Sequence, residues 1–254
     1  MIPNELIFIL HTLIIGLAAL GALALGRSAL VAFVSIQCIL ANLFVLKQTT
    51  LLGLNATCAD AFTIGATIGL NLLQEYFGKA ITRTTIAINF FFLVFYAVIS
   101  QVHLWYTPSA FDTTQDHFLP LLGFMPRIVI ASFTVYFIAQ MIDYKLYGWL
   151  KKVSCLRPNG SAGQQTSKFL ILRNYASIAV SQFVDTVLFS FLGLYGIIDN
   201  IGEVILVSYS IKLAAIALAT PCVLGAQRIF KYFHKNHPSI DSRRTDDINN
   251  EDAS

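Results

Sequence analysis

Apolar residues in this chain come in long unbroken runs separated by short polar breaks. Seven runs of spanning length can be marked, at about 6–26, 29–46, 51–77, 84–106, 124–149, 169–196 and 203–226. A helix rises about 1.5 Å per residue, so roughly 20 apolar residues cross the hydrocarbon of a bilayer. The runs lack the ten-residue alternation of a membrane barrel, so they predict helices throughout and no strands. Only Arg27-Ser28 parts the first run from the second, which predicts a tight helical hairpin. Ala22-Leu23-Ala24 is similar to a signal cleavage site. However, no Lys or Arg precedes the first run, and its apolar part is too long for a signal, so it is read as a retained membrane helix.

Composition sharpens this picture. Apolar residues make up 56% of the 254 positions and charged residues only 12%, against roughly a quarter charged in a soluble domain. So few charges cannot dress a water-facing surface, and lipid is the solvent the pattern requires. The four cysteines, Cys38, Cys58, Cys155 and Cys222, show no zinc, disulfide or C-x-x-C spacing and read as packing residues. The segment 154–167 is polar and rich in Pro, Gly, Ser and Gln, as a flexible linker is. The chain from His234 onward is polar with mixed charge and reads as a disordered tail.

Charge placement predicts orientation, because Lys and Arg accumulate on the cytoplasmic side. Lys79 and Arg83 follow the third run; Lys145, Lys151, Lys152, Arg157 and Lys168 surround the loop after the fifth; Arg228, Lys231, Lys235, Arg243 and Arg244 follow the seventh. The loops after the fourth and sixth runs carry Asp112, Asp116 and Asp199 and no Lys or Arg. The alternation places the N-terminus outside and the C-terminus inside, with Lys47 the one exception.

Ionisable residues inside spans are costly and face a bundle interior or polar cavity. Here they are Asp60, Glu75, Arg127, Asp143, Arg173, Asp185 and Lys212, with Asn71, Gln74, Gln140 and Gln182 beside them. Gln140 with Asp143 and Gln182 with Asp185 repeat one pattern, Gln and Asp a helical turn apart with an aromatic four residues after the Asp. Two consecutive spans run in opposite directions, so the repeat has the form of an inverted-topology repeat; chance similarity of apolar segments is the alternative. Counting from the outer ends puts Asp185 and Lys212 both roughly 15 Å deep, so they are expected to pair. Asp60 is a rival partner for Lys212, unless the third span starts later and Asp60 lies at the interface. Glu75 and Asp143 fall near inner span ends, where snorkelling to the interface also accounts for them. Tyr76 and Phe189 sit beside these polar positions, and an aromatic next to carboxamides and a carboxylate suits a flat, nitrogen-rich heterocycle.

These residues resemble the YhhQ-type queuosine precursor transporter family, also called the vitamin uptake transporter family. The likeness lies in Asn71-Leu72-Leu73-Gln74-Glu75-Tyr76-Phe77-Gly78-Lys79, similar to a D-x-x-x-E-x-Y-G-K pattern. It continues in Arg127, Ala131 and Ser132 with Gln140-x-x-Asp143, in Ser181-Gln182-x-x-Asp185-Thr186-x-x-Phe189, and in Lys212 with Pro221. It covers about residues 29–230. Asn71 stands where the family has Asp, Phe77 replaces a Tyr, and the first span looks like an addition. The resemblance implies a six-helix transporter core over 29–230, one extra N-terminal transmembrane helix over 1–28, and a cytoplasmic tail over 231–254. It implies import of 7-deazaguanines such as preQ0, preQ1 or queuine across the cytoplasmic (inner) membrane, for salvage into tRNA modification. The alternative is a substrate-binding membrane subunit for another small heterocycle or vitamin, needing a separate energising module.

The substrate-binding candidates are Asn71, Glu75, Gln140, Asp143, Gln182 and Asp185. A guanine-like edge offers N–H donors that a carboxylate accepts in pairs and a carbonyl that a Gln amide serves. The expected partners are a deazapurine base and the lipid bilayer, with a homo-oligomer or an energising subunit left open. No cofactor, metal or nucleic acid is expected. The sequence holds no H-E-x-x-H, G-x-S-x-G or C-x-x-C and no P-loop, which argues against an enzyme and against ATP hydrolysis by this chain.

Overall fold

The computed structural model describes residues 2–155 and 167–214. Helices α1 (Asn4–Leu25), α2 (Arg27–Phe44), α3 (Asp60–Leu104), α4 (Gln115–Leu122), α5 (Met125–Cys155) and α6 (Ser167–Phe189) follow in order. The chain leaves α6 through a π-helical turn at Ser190–Leu194. A last helix, α7, begins at 201 and is described to 214. Four stretches among the described residues are long and apolar enough to cross a membrane: Asn4–Leu25, Arg27–Phe44, Asp60–Leu104 and Gln115–Ala139. Their outward faces carry Leu13, Leu17, Phe91, Phe95, Ile130 and Phe137. Against water that much apolar surface is unfavourable, and against lipid it is the preferred contact. The chain is a helical membrane protein.

Two glycines make the sharp turns. Gly26 (φ 107°, ψ −174°) joins α1 to α2, and Gly78 (φ 88°, ψ 169°) interrupts α3. Such backbone angles are essentially restricted to glycine. The hairpin expected at Arg27-Ser28 thus turns one residue earlier. At Gly78 the consequence is larger. A straight helix of this length would hold its ends about 66 Å apart, yet Ala59 and Leu104 pack against one buried cluster with Val45, Leu122 and Met125. The arms 60–77 and 79–104 therefore run antiparallel.

Helix α2 lies against both arms. Gly65 and Gly69, one turn apart on the first arm, let neighbouring helices approach closely: an added Cβ would come within 2.4 Å of Ile15 on α1 at Gly65 and of Val34 on α2 at Gly69. On the second arm, Ser35 Oγ donates to Asn89 Oδ1 at 2.7 Å. Buried Ala19, Leu23, Leu30, Val34, Leu72 and Leu73 knit α1, α2 and the first arm together.

A β-hairpin corrects the expectation of helices alone. Strands β1 (Gln48–Leu51) and β2 (Leu54–Thr57) pair antiparallel, with Gln48 opposite Thr57 and Leu51 opposite Leu54. The run read as one span over 51–77 is therefore a strand followed by a helix that starts at Asp60. Leu51, Leu52 and Leu54 hide the hairpin in an apolar count, but Thr49, Thr50 and Thr57 favour extended chain. Leu52 and Gly53 both take positive φ, 51° and 79°, the geometry of a two-residue hairpin turn.

The hairpin is tied down on two sides. Asn4 Nδ2 donates to the Thr50 carbonyl and the Leu52 amide donates to Glu5 Oε1, both at 2.9 Å. On the other side the Asn55 amide and Nδ2 both donate to Glu203 Oε2 at 2.9 Å. One end of the bundle thus gathers the hairpin, the 105–124 connection and the 195–200 turn, with Glu5, Asp112, Asp116, Asp199 and Glu203. The opposite end holds the two glycine turns with Arg27, Lys79 and Arg83. Pro221, Cys222, the tail and linker residues 156–166 lie outside the described residues.

Candidate functional site

Beneath the hairpin is a small cavity of about 60 Å³, whose polar lining includes Thr57, Asp60, Thr186, Ser190, Ser208 and Lys212. Each residue arrives by a local rule. Helix α3 starts at Asp60 just after β2, which puts the Asp60 carboxylate in its first turn, where the positive end of the helix dipole favours it. Ser208 and Lys212 are four apart on α7 and so share one face. Thr186 follows Asp185 on α6. The π-helical turn just beyond brings Ser190 and Leu194 to the cavity wall; such turns occur often at functional sites.

Asp60 is 4% exposed. Ser208 Oγ lies 2.8 and 2.9 Å from its two carboxyl oxygens, and Thr57 Oγ1 lies 3.5 Å from Oδ2. Lys212 Nζ donates to Asp185 Oδ2 at 2.7 Å and to Thr186 Oγ1 at 3.1 Å. Thr186 in turn donates to the Gln182 carbonyl at 2.8 Å, so its oxygen is turned to accept from the lysine. Among the described residues the site thus gathers two carboxyl groups and one ammonium, with two hydroxyls on Asp60 and one on Lys212.

The end of α6 is held from α5. Arg127 Nε donates to the Leu192 carbonyl at 3.0 Å and Nη2 to that of Tyr195 at 2.7 Å. These carbonyls have no helical partner ahead of them, and a cation at a helix C-terminus also opposes its dipole. Just outside the spans, burial pushes the Cys58 thiol pKa up, partly opposed by Lys47.

The sequence candidates divide by position. Asp185 and Lys212 come together as an ion pair. Gln182 is half-buried one turn along α6 from Thr186. Asn71 and Glu75 stand on the first arm of α3, about 16 and 22 Å along the helix from Asp60, Asn71 half-buried and Glu75 exposed near the Gly78 turn. None of Gln182, Asp185, Asn71 or Glu75 lines the cavity, which Asp185 meets through Lys212. The side chains of Gln140, Asp143 and Arg173 lie outside the described residues. Ser208 and Thr57 were not singled out by sequence reasoning, although the S-x-x-x-K spacing pointed to Ser208. Among the described residues no three His, Cys, Asp or Glu side chains stand close enough to hold a metal ion.

Comparison with known proteins decides the family. The family described as "Putative vitamin uptake transporter" matches residues 61–226, which include α3, α5, α6, α7 and the residues Lys212 and Asp185. The chain belongs to the vitamin uptake transporter family. A relative from Bacillus subtilis (strain 168), named "Probable queuosine precursor transporter", is 27% identical over 224 residues, which cover 87% of this chain and 92% of that protein. No solved structure matches the chain. As a vitamin uptake transporter the protein moves a small molecule across a membrane and does not belong to an enzyme family.

Proposed function

We propose that this protein imports queuosine precursors, 7-deazaguanines such as preQ0, preQ1 or queuine, across the cytoplasmic membrane. The observation that carries this reading is the likeness to the Bacillus relative over nearly the whole of both chains. The ion pair and buried carboxyl group in the bundle interior suit it, since intramembrane charges mark substrate and ion paths. A cavity of about 60 Å³ has the volume of about two waters. A base needs several times more, so in this reading the cavity widens when the base is loaded.

In this reading Asn71, Glu75, Gln140, Asp143, Gln182 and Asp185 line the path of the base. On the same reading α2, the two arms of α3, α5, α6 and α7 form a six-helix core, with α1 an addition packed on α2 and α3. The acidic end with the hairpin faces outward, and the end with Arg27, Lys79 and Arg83 faces the cytoplasm, as the positive-inside rule favours. The test is uptake of labelled preQ0, preQ1 and queuine by cells that lack their own importer and express this chain alone. Uptake of one or more supports the reading. Uptake that appears only with an added energising module makes the chain a binding subunit, and no uptake under either condition removes deazaguanines as its substrate.

A further inference from the structure

Among the described residues Lys212 is the ammonium that lines the cavity, and two of its three donors are taken by Asp185 and Thr186; Lys47 does not line it. Asp60, 4% exposed, has hydroxyl donors only among the described residues, Ser208 and Thr57. A buried carboxylate without a cation in contact is expensive, and taking up a proton removes that expense. The partner is suited to either state. A serine hydroxyl has one hydrogen and two lone pairs. Ser208 Oγ, almost equidistant from both carboxyl oxygens, can donate to the carboxylate or accept from the acid by rotating its O–H alone. The cavity that Asp60 and Ser208 line is small, about 60 Å³.

We propose that Asp60 is the proton-binding residue that couples import to the proton gradient, with Lys212 as the charge that responds to it. When Asp60 holds a proton, Lys212 stays with Asp185, as seen here. When the proton leaves to the cytoplasmic side, the Asp60 carboxylate competes for Lys212, and Asp185 is released from its pair. One proton enters and one proton leaves per cycle, and no bond other than O–H is made or broken. The charged and titratable groups around Asp60 are Lys212 on α7, Asp185 on α6, Cys58 in the preceding turn and Lys47 beyond α2. The hairpin, tied to α1 by Glu5 and to α7 by Glu203, covers this site on the side from which protons would enter.

The inference rests on the proposed import of deazaguanines, and the test separates the two. Purified full-length protein in liposomes is given labelled preQ1 and an imposed inside-alkaline pH gradient. One-to-one coupling raises the accumulation ratio about tenfold for each pH unit of gradient, and a protonophore abolishes it. No entry of preQ1 even down its own concentration gradient overturns the substrate reading. Entry with an accumulation ratio that ignores the pH gradient overturns proton coupling. Asp60→Asn is expected to admit preQ1 down its gradient with no response to pH, and full response in this variant removes Asp60 from the role. Where Asp60→Asn is absent from the membrane, Ser208→Ala serves instead. It is expected to move the pH midpoint of uptake, and a wild-type midpoint counts against Asp60 as the proton site.

Discussion

Lys212 Nζ lies 2.7 Å from Asp185 Oδ2 across the α6–α7 contact, with the side chains 16% and 25% exposed. A pair so placed, in a bundle surrounded by lipid, is valued chiefly for what its loss leaves behind. Removing one partner strands the other charge, at about 3–5 kcal/mol. Lys212→Met is therefore expected to lower folded protein in the membrane severely. Adding Asp185→Asn to it should restore part of the loss. Quantifying folded protein for the two single variants and the double gives the coupling directly, and strictly additive effects would show that the pair contributes nothing.

The glycine turns offer a second test. Gly78 at φ 88° and Gly26 at φ 107° have open space around them, so alanine there meets no neighbour, yet its backbone is strained by about 1–3 kcal/mol. Gly78→Ala and Gly26→Ala should each lower the melting temperature of the purified protein. Gly16 sits inside α1 with nothing within 4 Å of an added Cβ. There alanine should be neutral or stabilising, by up to about 1 kcal/mol. Equal effects at all three sites would mean that the turn geometry is not what matters.

How far the sequence could be read depends on what each signal averages over. Span positions were legible because hydrocarbon thickness demands some twenty apolar residues, and α1, α2, α5 and α6 begin within two residues of the expected starts. The hairpin was not legible, since Leu51 and Leu54 count toward a span however the backbone runs. The pairing of Asp185 with Lys212 came from depth counting, which works for adjacent antiparallel helices of known rise. Asp60 was harder. Its helix begins at that residue, as the alternative of a later span start had it, and the fold adds that Asp60 is buried there. Ser208 carries no charge, its spacing from Lys212 is its one signal in the sequence, and it became meaningful once α7 was set against α3.

The hairpin's attachment to α7 is expected to control how readily the site opens. Asn55 gives two hydrogen bonds to one carboxylate oxygen of Glu203, and bonds to a charged group contribute about 1.5–3 kcal/mol each when buried, less in this partly exposed setting. Glu203→Gln should speed hydrogen exchange at the amides of residues 48–57 while the α2 amides exchange as before. Unchanged protection across the hairpin would show that the ties to Asn4 and Glu5 suffice.

Topology can be read with an impermeant maleimide on intact cells. Thr114→Cys lies in the acidic connection before α4 and is expected to label from outside, whereas Lys79→Cys at the Gly78 turn should label only after lysis. The native Cys58 is on the outer side in this orientation. Burial raises its thiol pKa, so less thiolate is available and it should react slowly. Labelling of Lys79→Cys in intact cells would invert the proposed orientation.

The last prediction concerns recognition of the base. Gln182 is half-buried on α6, one turn from the residues that hold Lys212, while Glu75 is exposed beside the Gly78 turn at the opposite end of the bundle. Neither lines the small cavity beneath the hairpin and they stand at opposite ends of the bundle, so they are expected to meet the base at different stages of its passage. Gln182 stands beside the ion pair and should contribute to affinity. Losing one buried hydrogen bond to the base costs about 1–3 kcal/mol, or roughly 5- to 150-fold in apparent affinity. Gln182→Leu should therefore raise the half-saturating concentration of preQ1 at normal membrane abundance. Glu75 lies where the base would leave toward the cytoplasm, and Glu75→Gln should lower the maximal rate with little change in half-saturation. Uptake measured against concentration for both variants, normalised to protein in the membrane, checks this division. Wild-type affinity and rate in Gln182→Leu would take that face of α6 out of the path and leave the repeated Gln and Asp pattern as packing.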